Sequence, residues 1–260
     1  MYQKRNFVEK VKLAAALVLS LSLVLVSCSK DKEIIEDEEP PVGTEHYYKL
    51  HRINNLPTGS EESSVSLDNR PPIYLNFATG TLVDARYAKT SRWDMALGGM
   101  FNCYFSGNNG TNGTNLGFMG PGVGGIYIVD KPFDEVIEIP SDNLFQTAAD
   151  VYGSDAAGNF GDRIGWFLYD FDGVIVSDGR PEKQHVAYAL AEPLTLTNGK
   201  VLSPRTVIVR TAKGDYVKIK MISCYKDIYT QADWYINSPF IYFTFEYVVV
   251  PKGSNRFEIK

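Results

Sequence analysis

Few side chains in this chain have the types and spacing to do chemistry. There are three histidines, His46, His51 and His185, and three cysteines, Cys28, Cys103 and Cys224. Neither G-x-S-x-G nor H-E-x-x-H occurs, so the strained serine turn of the hydrolases and the paired-histidine helix of the zinc peptidases are both missing. Cys103 and His185 are the residue types of a nucleophile–base pair, but nothing near Cys103 in sequence would activate its thiol. The 31 Asp and Glu residues allow many carboxylate pairs, and none stands out as a glycosidase pair. These residues predict a protein that binds rather than catalyses.

Two glycine motifs lose their chemical reading in context. GPGVGG (120–125) fits G-x-G-x-x-G, but a dinucleotide site needs a helix after the glycines to receive the pyrophosphate. A strand-like run follows instead. DFDG (170–173) begins like a calcium loop but lacks the further oxygen ligands and the closing Glu; it reads as a β-turn. Methionine is the remaining chemical type. Thioether and imidazole are the neutral axial ligands of haem iron. Met95 is in phase with Trp93 and Leu97, and Met221 lies on the apolar face of its strand, so both read as core. Met100 is out of phase with Phe101, Cys103 and Phe105. Met119 sits in a glycine-rich loop between Phe118 and Gly120. His185, Met119 and Met100 are therefore the candidate iron ligands.

Cys28 has a different chemistry. Lys4, Arg5, Lys10 and Lys12 precede an apolar run from Leu13 to Val26. That run is too short to cross a bilayer core of roughly 30 Å as a helix and has the length of a signal-peptide core. Leu25-Val26-Ser27-Cys28 resembles the bacterial lipobox, in which the thiol is lipidated and the chain is cut before the cysteine. Residues 1–27 then form a lipoprotein signal peptide and Cys28 is the lipidation site. Asp31, Glu33, Glu36, Asp37, Glu38 and Glu39 follow, and Pro40-Pro41 comes next. Such a segment cannot bury apolar surface, so 28–45 reads as a disordered acidic tether. Acidic residues just after the cysteine resemble the surface-export signal of Bacteroidetes lipoproteins. The expected location is the outer membrane, lipid-anchored, at the cell surface.

The remaining chain, 46–260, suits a single β domain. Hydrophobic residues make up 44% and aromatic residues 13%, with 16 Tyr and 14 Phe, a composition that leans to strands. The net charge is −5 and no basic cluster follows the signal, which argues against nucleic acid. Alternation predicts strands at 73–77, 92–97, 100–105 and 126–130, with one face of 73–77 buried. A leading strand and a polar loop fill 46–70. The Gly/Asn-rich stretch 106–125 reads as irregular backbone. The best helix candidate is 141–153, capped by Ser141 or Asp142 and ended by Gly153. Residues 165–179 read as two strands around a turn. TVIVRTAKGDYVKIKMIS (206–223) is a hairpin around Lys213-Gly214-Asp215, with Val217, Ile219 and Met221 on one side and Lys218 and Lys220 on the other. FIYFTFEYVVV (240–250) closes the sheet. An exported compartment permits a Cys103–Cys224 disulfide, and two separate buried thiols fit equally well.

SRWDMAL (91–97), VGGIYIV (123–129) and VIVRTAKGDYVKIKMIS (207–223), in this order behind a lipobox, resemble the HmuY-like family of Bacteroidetes lipoproteins. IYLNFATGTLV (73–83) and FIYFTFEYVVV resemble its early and last strands, so the likeness covers roughly 71–250. The resemblance implies an all-β, hand-shaped fold with at most one or two short helices. It also implies a non-enzymatic hemophore role: haem, or an iron-free porphyrin, is taken from a haem-carrying host protein and passed to a TonB-dependent outer-membrane receptor. Family members hold iron with two side chains, a His pair or Met, from the middle of the chain. This sequence departs there: between 120 and 206 its only histidine is His185, and it has no methionine. The alternative is a surface module for glycan, peptide or a partner protein, with exposed Tyr and Trp as stacking surfaces.

Overall fold

The computed structural model describes residues 43–58, 70–158 and 160–260. The signal peptide, Cys28 and nearly all of the tether lie outside these residues. Among the described residues there are thirteen strands: β1 Leu50–Pro57, β2 Ile73–Asn76, β3 Thr81–Val83, β4 Met95–Gly98, β5 Tyr104–Gly107, β6 Gly125–Val129, β7 Phe167–Asp170, β8 Val186–Ala189, β9 Leu194–Thr195, β10 Val201–Leu202, β11 Thr206–Arg210, β12 Tyr216–Tyr225 and β13 Phe240–Val250. Among the described residues there is no α-helix, only short 3₁₀ turns. The all-β expectation holds.

The hairpin at 206–223 forms as its sequence predicts. Val209 pairs with Val217 and Arg210 with Tyr216. Gly214 sits at φ +95, a backbone that glycine adopts without steric cost. Thr211 Oγ1 accepts from Asp215 N–H at 2.9 Å and pins the turn. Val217, Ile219 and Met221 enter the main core. On the other side Lys218 is buried as well. Its Nζ donates to the carbonyls of Phe133 and Val136 at 2.8 and 3.0 Å and lies 4.2 Å from the Phe133 ring centroid. Alternation locates the two faces; the main core covers one and the segment with Phe133 and Val136 covers the other.

The five-stranded sheet runs β1-β13-β12-β11-β6 and the four-stranded sheet β3-β2-β4-β5. Every pairing in them is antiparallel. FIYFTFEYVVV does not close the larger sheet. It pairs with β1 on one side and β12 on the other, and its run is apolar almost without break because both faces of the sheet are covered. Strand β2 also differs from expectation, because both its faces are covered: Tyr74 packs edge-on against Trp93, 4.9 Å between centroids, in a small cluster with Ala96.

Three local expectations are corrected. The helix predicted at 141–153 is a single 3₁₀ turn, Asp142–Leu144, whose cap residue Ser141 makes no side-chain capping bond. Instead Gln146 pairs with Ile126 in both directions, at 2.8 and 2.9 Å, and Tyr152 pairs with Phe105; sheet edges take the backbone groups a helix would use. The strand predicted at 100–105 starts with a 3₁₀ turn, Met100–Asn102, in which Phe101 has φ +56, and only Tyr104 onward is strand. The second strand predicted in 165–179 is absent. The N–H groups of Ile175 and Val176 donate to the buried Asp170 carboxylate at 3.1 and 2.9 Å, and β7 pairs with β8 instead.

The main core lies around Trp166, which stacks on Phe105 at 5.3 Å and meets Phe243 edge-on at 5.7 Å. Trp93, Trp166 and Trp234 are all buried, so none offers a sugar-stacking surface as the alternative reading expected. Cys103 and Cys224 are both free and buried. Asp94 ties the four-stranded sheet to the hairpin turn. It is buried and accepts from Phe77 N–H at 2.9 Å and Ala212 N–H at 3.2 Å. Burial pushes its carboxyl up to about 7, against the opposing pull of those two bonds.

Candidate functional site

His185 stands immediately before β8, at φ +56. The loop that carries it is shaped from within. Asp170 at the end of β7 gathers the backbone of 175 and 176. Gly173 turns the chain at φ +69, where a Cβ would lie 3.0 Å from the Lys183 carbonyl. His185 N–H then donates to the Phe171 carbonyl at 3.1 Å. The result is an exposed imidazole in a group of rings. Its Nδ1 is 3.0 Å from the Tyr169 hydroxyl, and Phe171 meets it edge-on at 4.4 Å. Phe160 packs against both Tyr169 and Phe171, at 5.8 and 5.5 Å. Phe160 is 61% exposed, Val174 52% and Phe171 39%. Burial raises the Tyr169 phenol above its ordinary value, so the hydroxyl stays neutral and able to act as donor or acceptor.

This arrangement can hold a metal-bearing planar ligand on one side. A ligating histidine presents one ring nitrogen to the metal and has the other fixed by a hydrogen bond. In the tautomer whose Nδ1–H donates to Tyr169, Nε2 keeps its lone pair, and no described residue bonds to it. Exposed apolar rings beside the imidazole supply contact area for an apolar macrocycle. One imidazole and its ring platform therefore fit haem.

The second ligand is not brought to His185. Met119 is 83% exposed and Met100 58%, both outside the core as expected. Met100 lies on the turn before β5 and Met119 on the loop after it. No hydrogen bond or ring contact among the described residues joins either to His185. The loop of Met119 is irregular backbone, as its composition predicts, but it is tightly organised by buried asparagines. Asn108 donates to the carbonyls of Thr90 and Trp93, both at 2.8 Å. Asn115 donates to those of Gly107 and Thr147, both at 2.7 Å. Gly122 and Gly124 are required there, since a Cβ on either would come within 2.7 Å of Asn108 atoms. GPGVGG thus serves close packing before β6, with no helix behind it.

A pocket of about 250 Å³ lies elsewhere, over the outer part of β1, β13 and β12. Arg52, Glu192, Lys220 and Glu246 are among its lining residues. It shares none of the His185 cluster and falls below the roughly 300–1,000 Å³ of ordinary small-molecule sites, so it does not take a porphyrin. Sequence reasoning missed both Tyr169 with its two phenylalanines and this pocket. The rings alternate with Asp170 in YDF, a visible signal. The pocket depends on cross-strand register, which has no local signal.

The fold and this exposed histidine describe an all-β binding protein. A family model described as HmuY protein matches residues 69–237, and the chain belongs to that family. The match stops before β13, an interior strand of the larger sheet. Among solved structures, an HmuY-like protein of Bacteroides vulgatus is 12% identical, with 76% of this chain and 90% of that one covered and a TM-score of 0.34. The apo form of an HmuY analogue of Tannerella forsythia is 13% identical, with 78% and 96% covered and a TM-score of 0.34. No curated protein matches the chain.

Proposed function

We propose that this chain is a lipid-anchored surface protein that binds haem, or a related tetrapyrrole, for uptake and catalyses nothing. Cys28 carries the lipid, the acidic segment to residue 45 holds the domain off the outer membrane, and a TonB-dependent receptor accepts the cargo. Family membership supports haem as the ligand class. The single observation that carries the site is His185, exposed, with Nδ1 engaged by Tyr169 and aromatic rings on its flank.

In this reading His185 would hold the iron, and Phe160 and Phe171 would give the macrocycle apolar contact. Bound haem would supply iron coordination chemistry; the chain's own part is to orient the imidazole and shield the ring. The candidates for a second iron ligand, Met100 and Met119, would have to be drawn up on binding, since neither lies against His185 in this structure.

The test is a haemin titration of residues 29–260, followed in the Soret region in both oxidation states. A saturable Soret shift that is lost in His185→Ala is the expected outcome. Conversion from low-spin to high-spin bands in Met100→Ala or Met119→Ala would identify the second ligand. A spectrum like free haemin, with no saturation, would overturn iron ligation by this protein. Tyr169→Phe removes only the hydroxyl and is expected to weaken haemin binding by about 10-fold, the lower end of the effect of losing an outer-shell partner.

A further inference from the structure

We infer that the chain has a second binding site, separate from His185, that takes one neutral sugar ring. The 250 Å³ pocket is built on a row of side chains set by strand register. Arg52 of β1 and Lys220 of β12 both pair with Glu246 of β13. Arg52 Nη1 meets Glu246 Oε1 at 2.7 Å, and Lys220 Nζ meets Glu192 Oε1 at 3.3 Å. Gln231 and Tyr229 complete the polar rim.

The lining charges decide the ligand class. Two cations face two carboxylates, so the pocket is neutral. An anion or a cation entering it would meet one group of its own sign and would compete with an existing pair. A polyhydroxyl ligand needs no such exchange. Its hydroxyls can donate to carboxylate lone pairs and to the Gln231 carbonyl, and can accept from guanidinium and ammonium N–H groups that retain capacity beyond their ion pairs. Tyr229 is 41% exposed; the Arg52 guanidinium lies over its ring, 5.5 Å from the centroid, so a sugar's C–H face would pack against the part of the ring that Arg52 leaves open. The volume admits one ring and excludes a macrocycle.

The experiment uses the full chain and four probes: glucose, galactose, mannose and N-acetylglucosamine, followed by saturation-transfer NMR and calorimetry. At least one is expected to saturate, in the millimolar range usual for so small a contact. Tyr229→Ala is expected to weaken it about tenfold and Glu192→Gln several-fold, with the circular dichroism spectrum of the parent. Haemin titration of Tyr229→Ala should be unchanged, so failure here and failure of the haem reading are distinguishable. The inference is overturned if none of the four saturates, if Tyr229→Ala binds as tightly as the parent, or if free glycine saturates the pocket and the sugars do not.

Discussion

At the scale of single residues, Asp94 makes the sharpest prediction. Its carboxyl is raised to about 7 by burial, whereas an unfolded Asp titrates near 3.9. The folded state therefore holds a proton that the unfolded state has lost between roughly pH 4 and 7, and stability falls as pH rises through that window. Below the unfolded value the contribution is fully present; above about 7 the cost of the buried charge is complete. Asn at this position keeps one acceptor for Phe77 or Ala212 and cannot ionise. Urea unfolding of Asp94→Asn against the parent, between pH 4 and 8, is expected to remove this declining component. Parallel curves for the two proteins would sink the assignment. Cys103 and Cys224 carry a second expectation. Burial raises Cys103 well above its ordinary value and Cys224 up to about 12. The thiolate is the reactive form, so neither should react with an aromatic disulfide reagent until the chain is unfolded. Rapid labelling of the folded domain would contradict their placement.

At the scale of elements, loops are held together by side chains as much as by strands. Asn108 of the 106–125 loop is fully buried and satisfies the carbonyls of Thr90 and Trp93 in the segment before β4. Asn108→Ala strands both, and each buried polar group left unpaired costs about 1–3 kcal/mol. A loss of about 2 kcal/mol or more in chemical denaturation is expected, and an effect within a few tenths would show that the loop does not depend on it. Legibility in the sequence divides along the same line. The hairpin was plain, because two alternating runs around Lys213-Gly214-Asp215 need only local rules. Residues 141–153 misled, because a capped, helix-compatible run was claimed by the edges of two sheets through Gln146 and Tyr152. The strand expected after DFDG was lost to one side chain, Asp170. Of the site, His185 and the exposed methionines were visible as residue types. Their separation, and the ring group around His185, depended on which strand β7 chose as its partner.

At the scale of the molecule, the larger sheet is buried on both faces. One face meets the main core and the other meets Phe133, Val136, Phe145 and Phe257 over Ile208, Val248 and Val250. Phe257 comes from the last few residues, tied back by its N–H to the Ile137 carbonyl at 2.7 Å. Phe257→Ala is expected to cost about 3 kcal/mol, the lower end for a large buried aromatic, although it is distant from every candidate ligand. The organisation of the 106–125 loop also bears on how the protein ages. Asn-Gly pairs lose ammonia when the glycine nitrogen attacks the preceding side-chain amide, which needs a free N–H and a mobile backbone. At Asn109-Gly110 the glycine N–H is already given to the Gly122 carbonyl at 2.8 Å, and the Asn109 amide to the Gly124 carbonyl at 3.0 Å. At Asn198-Gly199 the glycine N–H is also bonded, to the Leu196 carbonyl at 2.9 Å, but both residues are exposed in a turn. A third pair, Asn112-Gly113, lies in the same loop as Asn109 with its glycine exposed, so chemical damage on long storage should begin at Asn112 and Asn198 and spare Asn109, which divides one loop into a vulnerable tip and a protected base.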